Sequence, residues 1–386
     1  MQKQTHGVDI AIVGGGIIGA TLAYLLARQG VSCCVLERGL PGAGTAEASA
    51  GIVGPHFERE QPEALRALLL KSLRAYPWLI ATLQDETPID PSYHTWGELR
   101  LAFTAEQAQA LRDHGQWLES LGFDVTWLDA AAVRADAPVV TEQVVGGLYL
   151  ADAASMVVPR FVRSLLDAAC RRGVTVLQQT PVLGFQTVGD RVIALQTGAA
   201  VLPVDQLVLA AGVETTALVR LLGSSVAIEP VRGQMVLLRT VPGVLRTILA
   251  GPAGGYVVPR TDGDIWAGPT KERGRWEQQP TVDGLVTCLS ILNQLAPGLR
   301  PAIFAGTTVG LRPGAPPDGL PVIGRLPGWA NVWIASGHEH LGVMLAPGTA
   351  ELLVAALTGT ETLAELSAFD PGRPAAWRNS EHGRAN

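Results

Sequence analysis

Three glycines and one acid carry the first chemical signal in this 386-residue chain. Gly14, Gly16 and Gly19 fit the pattern G-x-G-x-x-G, and Glu37 stands 18 positions after Gly19. The first glycine of such a pattern permits a tight turn. The second lets the backbone approach a pyrophosphate, and the third lets a helix pack closely on a strand. A helix opening at that turn offers free N–H groups and the positive end of its dipole to phosphate oxygens. A carboxylate at the end of the following strand accepts hydrogen bonds from ribose hydroxyls. The chemistry indicated is the holding of a dinucleotide.

A strand, a helix and a second strand must place these groups. Residues 10–13 form a short apolar run of strand type. Ile17 and Ile18 open the helix, and Gly30 sits where a helix C-terminal glycine is expected. Residues 32–37, ending in Glu37, read as the second strand. Residues 10–27 carry no charge, so a membrane or signal segment must be weighed. The four glycines in that stretch fit strand, turn and helix instead. A signal peptide also requires a positive start and a small-residue cleavage site. A cytoplasmic protein with no integral membrane segment is expected.

The length implies two or three domains. Net charge is −6 with no long basic run, which argues against a nucleic-acid partner. The cysteines Cys33, Cys34, Cys170 and Cys288 show no C-x-x-C pair and no metal spacing. Buried thiols in a reducing cytoplasm are expected, with Cys33 and Cys34 on opposite faces of one strand.

Residues 37–54 are rich in small side chains, suited to lie against a flat ligand. Helical periodicity marks residues 63–83, with Leu65, Leu68, Leu69, Leu73 and Trp78 on one side and Pro77 expected to kink or divide the helix. Further helices are expected at 105–121, at 159–172, and after Asp129 as cap. Residues 205–212 read as a strand running into a second small-residue turn, Ala211-Gly212, that could sit beside the nucleotide. Residues 226–268 alternate short strands and turns, an antiparallel pattern. A last helix is expected at about 343–357, and the tail from 371 to 386 reads as loose.

Several blocks in this order resemble the D-amino-acid oxidase superfamily of flavoproteins, especially its glycine oxidase and sarcosine oxidase branch. They are Gly14-x-Gly16-x-x-Gly19 with Glu37, Ala48-Ser-Ala-Gly-Ile, Leu209-Ala-Ala-Gly212 and Pro230-Val-Arg-Gly233. Gly255-Tyr-Val-Val-Pro-Arg260, Gly310-Leu-Arg-Pro313 with Asp318-Gly-Leu-Pro-Val-Ile-Gly324, and Gly337-His-x-x-x-Gly342 with Leu345-Ala-Pro347 complete the set. The resemblance implies an α/β FAD-binding Rossmann-type domain plus an α+β substrate domain with an antiparallel sheet. The first would be assembled from 1–85, 145–225 and 310–370, the second from 86–144 and 226–309.

By the same resemblance FAD is bound non-covalently, since no cysteine lies near Arg312 to form a link of the sarcosine oxidase kind. Glu37 and Arg38 would lie at the ribose and Val182 at the adenine. Thr45, Ala46, Ser49, Ala50, Gly51 and Ile52 would follow the pyrophosphate and flavin. Gly337, His338, Leu341, Gly342, Val343 and Met344 would border the isoalloxazine ring. A helix beginning near Val343 would aim its N-terminus at the negative charge of reduced flavin. Arg312 would hold a substrate carboxylate through its planar fork, with Tyr256 adding a hydroxyl bond. His340 occupies a position where similar glycine oxidases carry arginine, which puts glycine as substrate in doubt. His338 and His340 lack a third ligand nearby in sequence, so no metal is expected.

The implied activity is oxidation of the C–N bond of a small amino or imino acid such as glycine, sarcosine, a D-amino acid or D-proline. A hydride would pass to flavin N5 and leave an imine. Oxygen or another electron carrier would reoxidise the flavin. Without an arginine at 340, slow reaction with oxygen and faster turnover with a dye or quinone are expected. Two alternatives share the nucleotide motif: an NAD-dependent dehydrogenase, and a flavin-binding subunit of a hetero-oligomeric amino-acid or opine dehydrogenase complex. The NAD reading leaves residues 310–324 and the closing loop unaccounted for. A homo- or hetero-oligomer is compatible with either flavin reading.

Overall fold

The computed structural model describes residues 8–359 and 364–374. Its first sheet is built around strand Val8–Val13. This strand pairs in parallel with Cys33–Leu36 on one side and Val201–Leu209 on the other. Thr175–Leu177 and Val332–Ser336 extend the parallel sheet outward on the two sides. Alternation along the strands fills two cores. Ile10, Ile12, Cys33 and Val35 face helices Ile17–Arg28, Val158–Arg171 and Gly342–Thr358. Ala11, Val13, Cys34 and Leu36 face the opposite side, under helix Thr215–Leu221 and the hairpin Val182–Val188 with Arg191–Thr197. Cys33 and Cys34 are thus buried on opposite faces, as the spacing predicts. Cys170 is exposed, contrary to expectation, at the solvent side of its helix.

Helix Gly342–Thr358 contains a proline at position 347. Proline has no N–H, so the Val343 carbonyl loses its helical donor four residues on. The fully buried Tyr76 hydroxyl donates to that carbonyl instead. Gly348 lies so close to helix Glu63–Glu86 that its N–H donates to Ser72 Oγ at 2.8 Å. A Cβ there would approach the same oxygen to 2.6 Å. The stretch Glu339–Thr358 is long and apolar enough to cross a membrane, but 67% of its most apolar 18-residue window is buried in this core. Helix Glu63–Glu86 is continuous through Pro77, which does not divide it. Its buried face includes Leu65, Leu68, Leu69, Tyr76 and Leu83, whereas Trp78 is 42% exposed and off that face.

Among the described residues, the second sheet has nine strands centred on Pro230–Arg239. That strand pairs antiparallel with Asp264–Gly268 and, over its whole length, with Ile303–Pro313. Its pairs are antiparallel except one, Ile248–Ala250 with Glu98–Ala102. Gly146–Leu150 joins this sheet between Glu98–Ala102 and Val125–Asp129. The expected crossing at 145 falls just before strand Gly146–Leu150, and that at 310 falls inside strand Ile303–Pro313. The chain leaves the second sheet after 150 and after 313. Nothing local in Gly146-Gly-Leu-Tyr-Leu marks which sheet it joins, because pairing is decided by distant partners. The expected loose tail is ordered at its start. Arg373 pairs with Asp318 at 2.7 Å and donates to the Leu320 carbonyl at 2.8 Å. Residues 375–386 lie outside the described residues.

Candidate active site

The glycine turn lies between the two neighbouring strand ends. Gly14 has φ +115°, and a Cβ there would lie 2.4 Å from the Ala210 carbonyl oxygen. On Gly19 it would lie 2.0 Å from the Gly14 oxygen, so only glycine lets helix Ile17–Arg28 sit this close to the strand. Gly16 differs. Among the described residues, nothing lies within 4 Å of where its Cβ would be, and no side chain caps the helix it begins. The first N–H groups of the helix are left for a ligand.

Glu37 is held from behind. Its carboxylate accepts from Gly15 N at 2.7 Å and Gly39 N at 2.8 Å. A carboxylate offers about four lone-pair sites, so about two remain for hydroxyls. Arg38 pairs with Glu214 at 3.0 Å across the same opening. The small-residue loop runs from here to the second sheet. Thr45 donates its hydroxyl to the Leu311 carbonyl. A Cβ on Gly310 would lie 2.6 Å from Ala48 Cβ, so loop and strand meet beside Arg312.

A single cavity of about 750 Å³ joins these parts. At one end stand Glu37, Arg38, Thr180 and Val182. Along its length lie Gly14, Gly16, Ile17, Ile18, Thr45, Ala46, Ser49 and Ala50, with Ala211 and Gly212 from the second turn. Tyr256, Arg312, His338, His340, Gly342 and Val343 close the other end. Six expected residues are not among those lining the cavity: Gly19, Gly51, Ile52, Gly337, Leu341 and Met344. Gly51 is required by backbone, since φ is +68° and a Cβ would meet the Met156 oxygen at 2.0 Å. Leu341 and Met344 are core residues. Sequence reading missed Gln278 as a lining residue. Gln278 lies in a loop with no periodic or motif signal.

Arg312 donates from Nη1 to the Thr270 carbonyl at 3.1 Å. Among the described residues it forms no ion pair. Tyr256 is half-buried beside it. Burial raises the Tyr256 hydroxyl above its usual pKa, and the nearby Arg312 charge only partly offsets this. Tyr256 is therefore a neutral donor at pH 7. His338 is buried against Thr349, with Nε2 3.1 Å from Oγ1, while His340 is exposed. The two rings do not converge. Glu339 takes a positive φ of +46° and meets Lys271 at 2.6 Å and Arg273 at 3.2 Å.

Two buried groups make the fold acid-sensitive. Burial pushes His338 down from 6.5 to about 3. Burial would raise Glu98, but His56 and Arg100, each 2.8 Å away, outweigh it and lower its pKa from 4.5 to about 2. Both folded values lie below the unfolded ones, so the unfolded chain binds these protons first and stability falls with pH. His338 acts from about pH 6.5 to 3 and Glu98 from about 4.5 to 2. We expect Tm to fall between pH 6.5 and 4.5, and His338→Gln to flatten that slope. Parallel Tm profiles would remove His338 as its source.

The layout defines a flavin nucleotide enzyme. The chain belongs to the DAO family: the family model described as FAD dependent oxidoreductase matches residues 9–356. Its cofactor is FAD, and the NAD-dependent alternative is set aside. The chain is 32% identical to glycine oxidase of Pseudomonas putida, over 94% of this chain and 98% of that protein. The glycine oxidase structure from Geobacillus kaustophilus superposes with a TM-score of 0.89 at 28% identity, over 96% of this chain and 99% of that one. The iminodiacetate oxidase structure from Chelativorans sp. BNC1 shares the fold, with a TM-score of 0.85 at 23% identity over 94% and 98% of the two chains.

Proposed function

We propose that the protein is an amino-acid oxidase that oxidises the C–N bond of a small amino or imino acid, with the substrate carboxylate on Arg312. One observation carries this reading: an arginine with no carboxylate partner among the described residues lines the cavity together with Tyr256. The first sheet forms the FAD-binding domain and the second the substrate domain. Gly16 and the uncapped helix start fit a pyrophosphate, and Glu37 fits a ribose. When bound, FAD supplies the two-electron oxidation at the carbon bearing nitrogen. The chain's own part is placement. Arg312 offers a charge-assisted bond, and Tyr256 a neutral O–H, to one carboxylate. This fixes the α-carbon, so no strong protein base is needed. The relatives named glycine oxidase support a small substrate, and the four free cysteines support the cytoplasmic location. The deciding experiment mixes the purified enzyme anaerobically with glycine, sarcosine, D-amino acids, D-proline and D-hydroxyproline. Flavin bleaching by one of them is expected; bleaching by none overturns the reading.

The expectation of slow reaction with oxygen treats residue 340 as the source of rim charge. Lys271 and Arg273 together outnumber Glu339, so the rim keeps positive charge without an arginine at 340. Positive charge stabilises the superoxide formed first. We therefore take oxygen as the acceptor, which the oxidase names of the relatives also support. Stopped-flow reoxidation in air-saturated buffer should keep pace with flavin reduction, and His340→Arg should change it little. A large acceleration in that variant would restore the dehydrogenase reading.

A further inference from the structure

Arg312 reaches the cavity across a glycine. On the paired strands Arg312 stands opposite Val231, and Gly310 opposite Gly233. Val231 and Gly233 share a face, because side chains alternate along a strand. The Arg312 side chain leans back over Gly233. A Cβ on Gly233 would lie 2.3 Å from Nη2, 2.5 Å from Cζ and 2.6 Å from Nη1. Only a hydrogen fits beneath the guanidinium.

A second hold comes from Thr270, whose carbonyl accepts from Arg312 Nη1. Thr270 is itself fixed. Its N–H donates to the Gln234 carbonyl at 3.0 Å, and its hydroxyl accepts from Gln234 N at 3.0 Å. The same hydroxyl donates to Glu272 Oε1 at 2.8 Å. Glu272 also accepts from Gln234 Nε2 at 2.7 Å and from Arg232 Nε at 3.1 Å. Arg232 is only 5% exposed and lies on the other face of its strand from Gly233.

We propose that Gly233 and the Thr270 carbonyl form a seat that orients the Arg312 guanidinium, and that the Arg232–Glu272 ion pair fixes this seat. Gly233, Arg232 and Glu272 are then positioning residues for carboxylate binding, an inference that rests on the reading of Arg312 above. A methyl at 233 must displace the guanidinium, because the other partner of the clash is strand backbone.

The test uses the FAD-loaded enzyme and acetate as a simple carboxylate probe, with binding read from the flavin spectrum. Gly233→Ala should raise the acetate Kd and the substrate KM about tenfold, the loss of about one charge-assisted bond, with a smaller change in kcat. FAD content should hold. In an Arg312→Leu background the same change should add less than about twofold, since a residue acting through the guanidinium has nothing left to act on. Glu272→Gln should weaken acetate in the same direction, again only while Arg312 is present. It decides the matter should Gly233→Ala fail to fold. If Arg312→Leu itself leaves acetate binding intact, the carboxylate reading fails and the seat with it. If Arg312→Leu weakens acetate but the Gly233 and Glu272 variants do nothing, or add in full to it, the seat alone is overturned.

Discussion

Arg312→Leu should fold, bind FAD and lose about 100-fold or more in kcat/KM. The guanidinium lines the cavity with one hydrogen bond to a carbonyl and, among the described residues, no ion pair. A carboxylate arriving there gains charge-assisted bonds of about 1.5–3 kcal/mol each, and two of them amount to about 100-fold or more. Leucine leaves that carboxylate desolvated against apolar atoms. Arg312→Lys should recover only part, because a single ammonium point cannot reproduce the planar fork. Tyr256→Phe should cost less, about tenfold, since it removes one neutral bond. Steady-state kinetics with the substrate that bleaches the flavin fastest decide this. Unchanged kcat/KM in the leucine variant would take Arg312 out of the site.

The glycine turn was legible in sequence because its geometry is local. Gly14, Gly16, Gly19 and Glu37 fall in one strand–helix–strand unit, where spacing alone dictates geometry. The Asp129 cap was legible for the same reason, and its carboxylate accepts from Ala132 N at 2.8 Å. The substrate end was not local. Arg312 and Tyr256 are far apart in the chain and meet through strands Pro230–Arg239, Asp264–Gly268 and Ile303–Pro313, whose pairing no periodicity reveals. Only the resemblance brought them together. Gly233 and Gly310 stood in quoted motifs, but their reason is a close approach between distant segments. The Trp78 error has a similar origin. Its neighbours Leu79 and Ile80 are the buried ones, and an apolar helix of this length admits more than one face until its partners are known.

Glu37→Ala should raise the Kd for FAD about 100-fold and change the chemistry of the loaded enzyme little. Gly15 and Gly39 take part of the carboxylate's capacity and aim the rest at the opening. Two ribose hydroxyl bonds to a charged acceptor are together worth about 3 kcal/mol or more, and each 1.4 kcal/mol is tenfold in affinity. Alanine also leaves the Gly15 and Gly39 N–H groups without their acceptor, which loosens the turn that carries Gly14 and Gly16. Glu37→Gln should fall between wild type and alanine, because it keeps one carbonyl acceptor but brings an NH2 against a backbone N–H. The distance from Arg312, at the other end of the cavity, is why turnover at saturating FAD should persist. Titration of the apoprotein with FAD, followed by flavin fluorescence, gives the Kd, and kcat is then read at saturation. An unchanged Kd would mean that Glu37 only stiffens the glycine turn. A lost kcat with normal FAD binding would place it in the reaction, against everything its position implies.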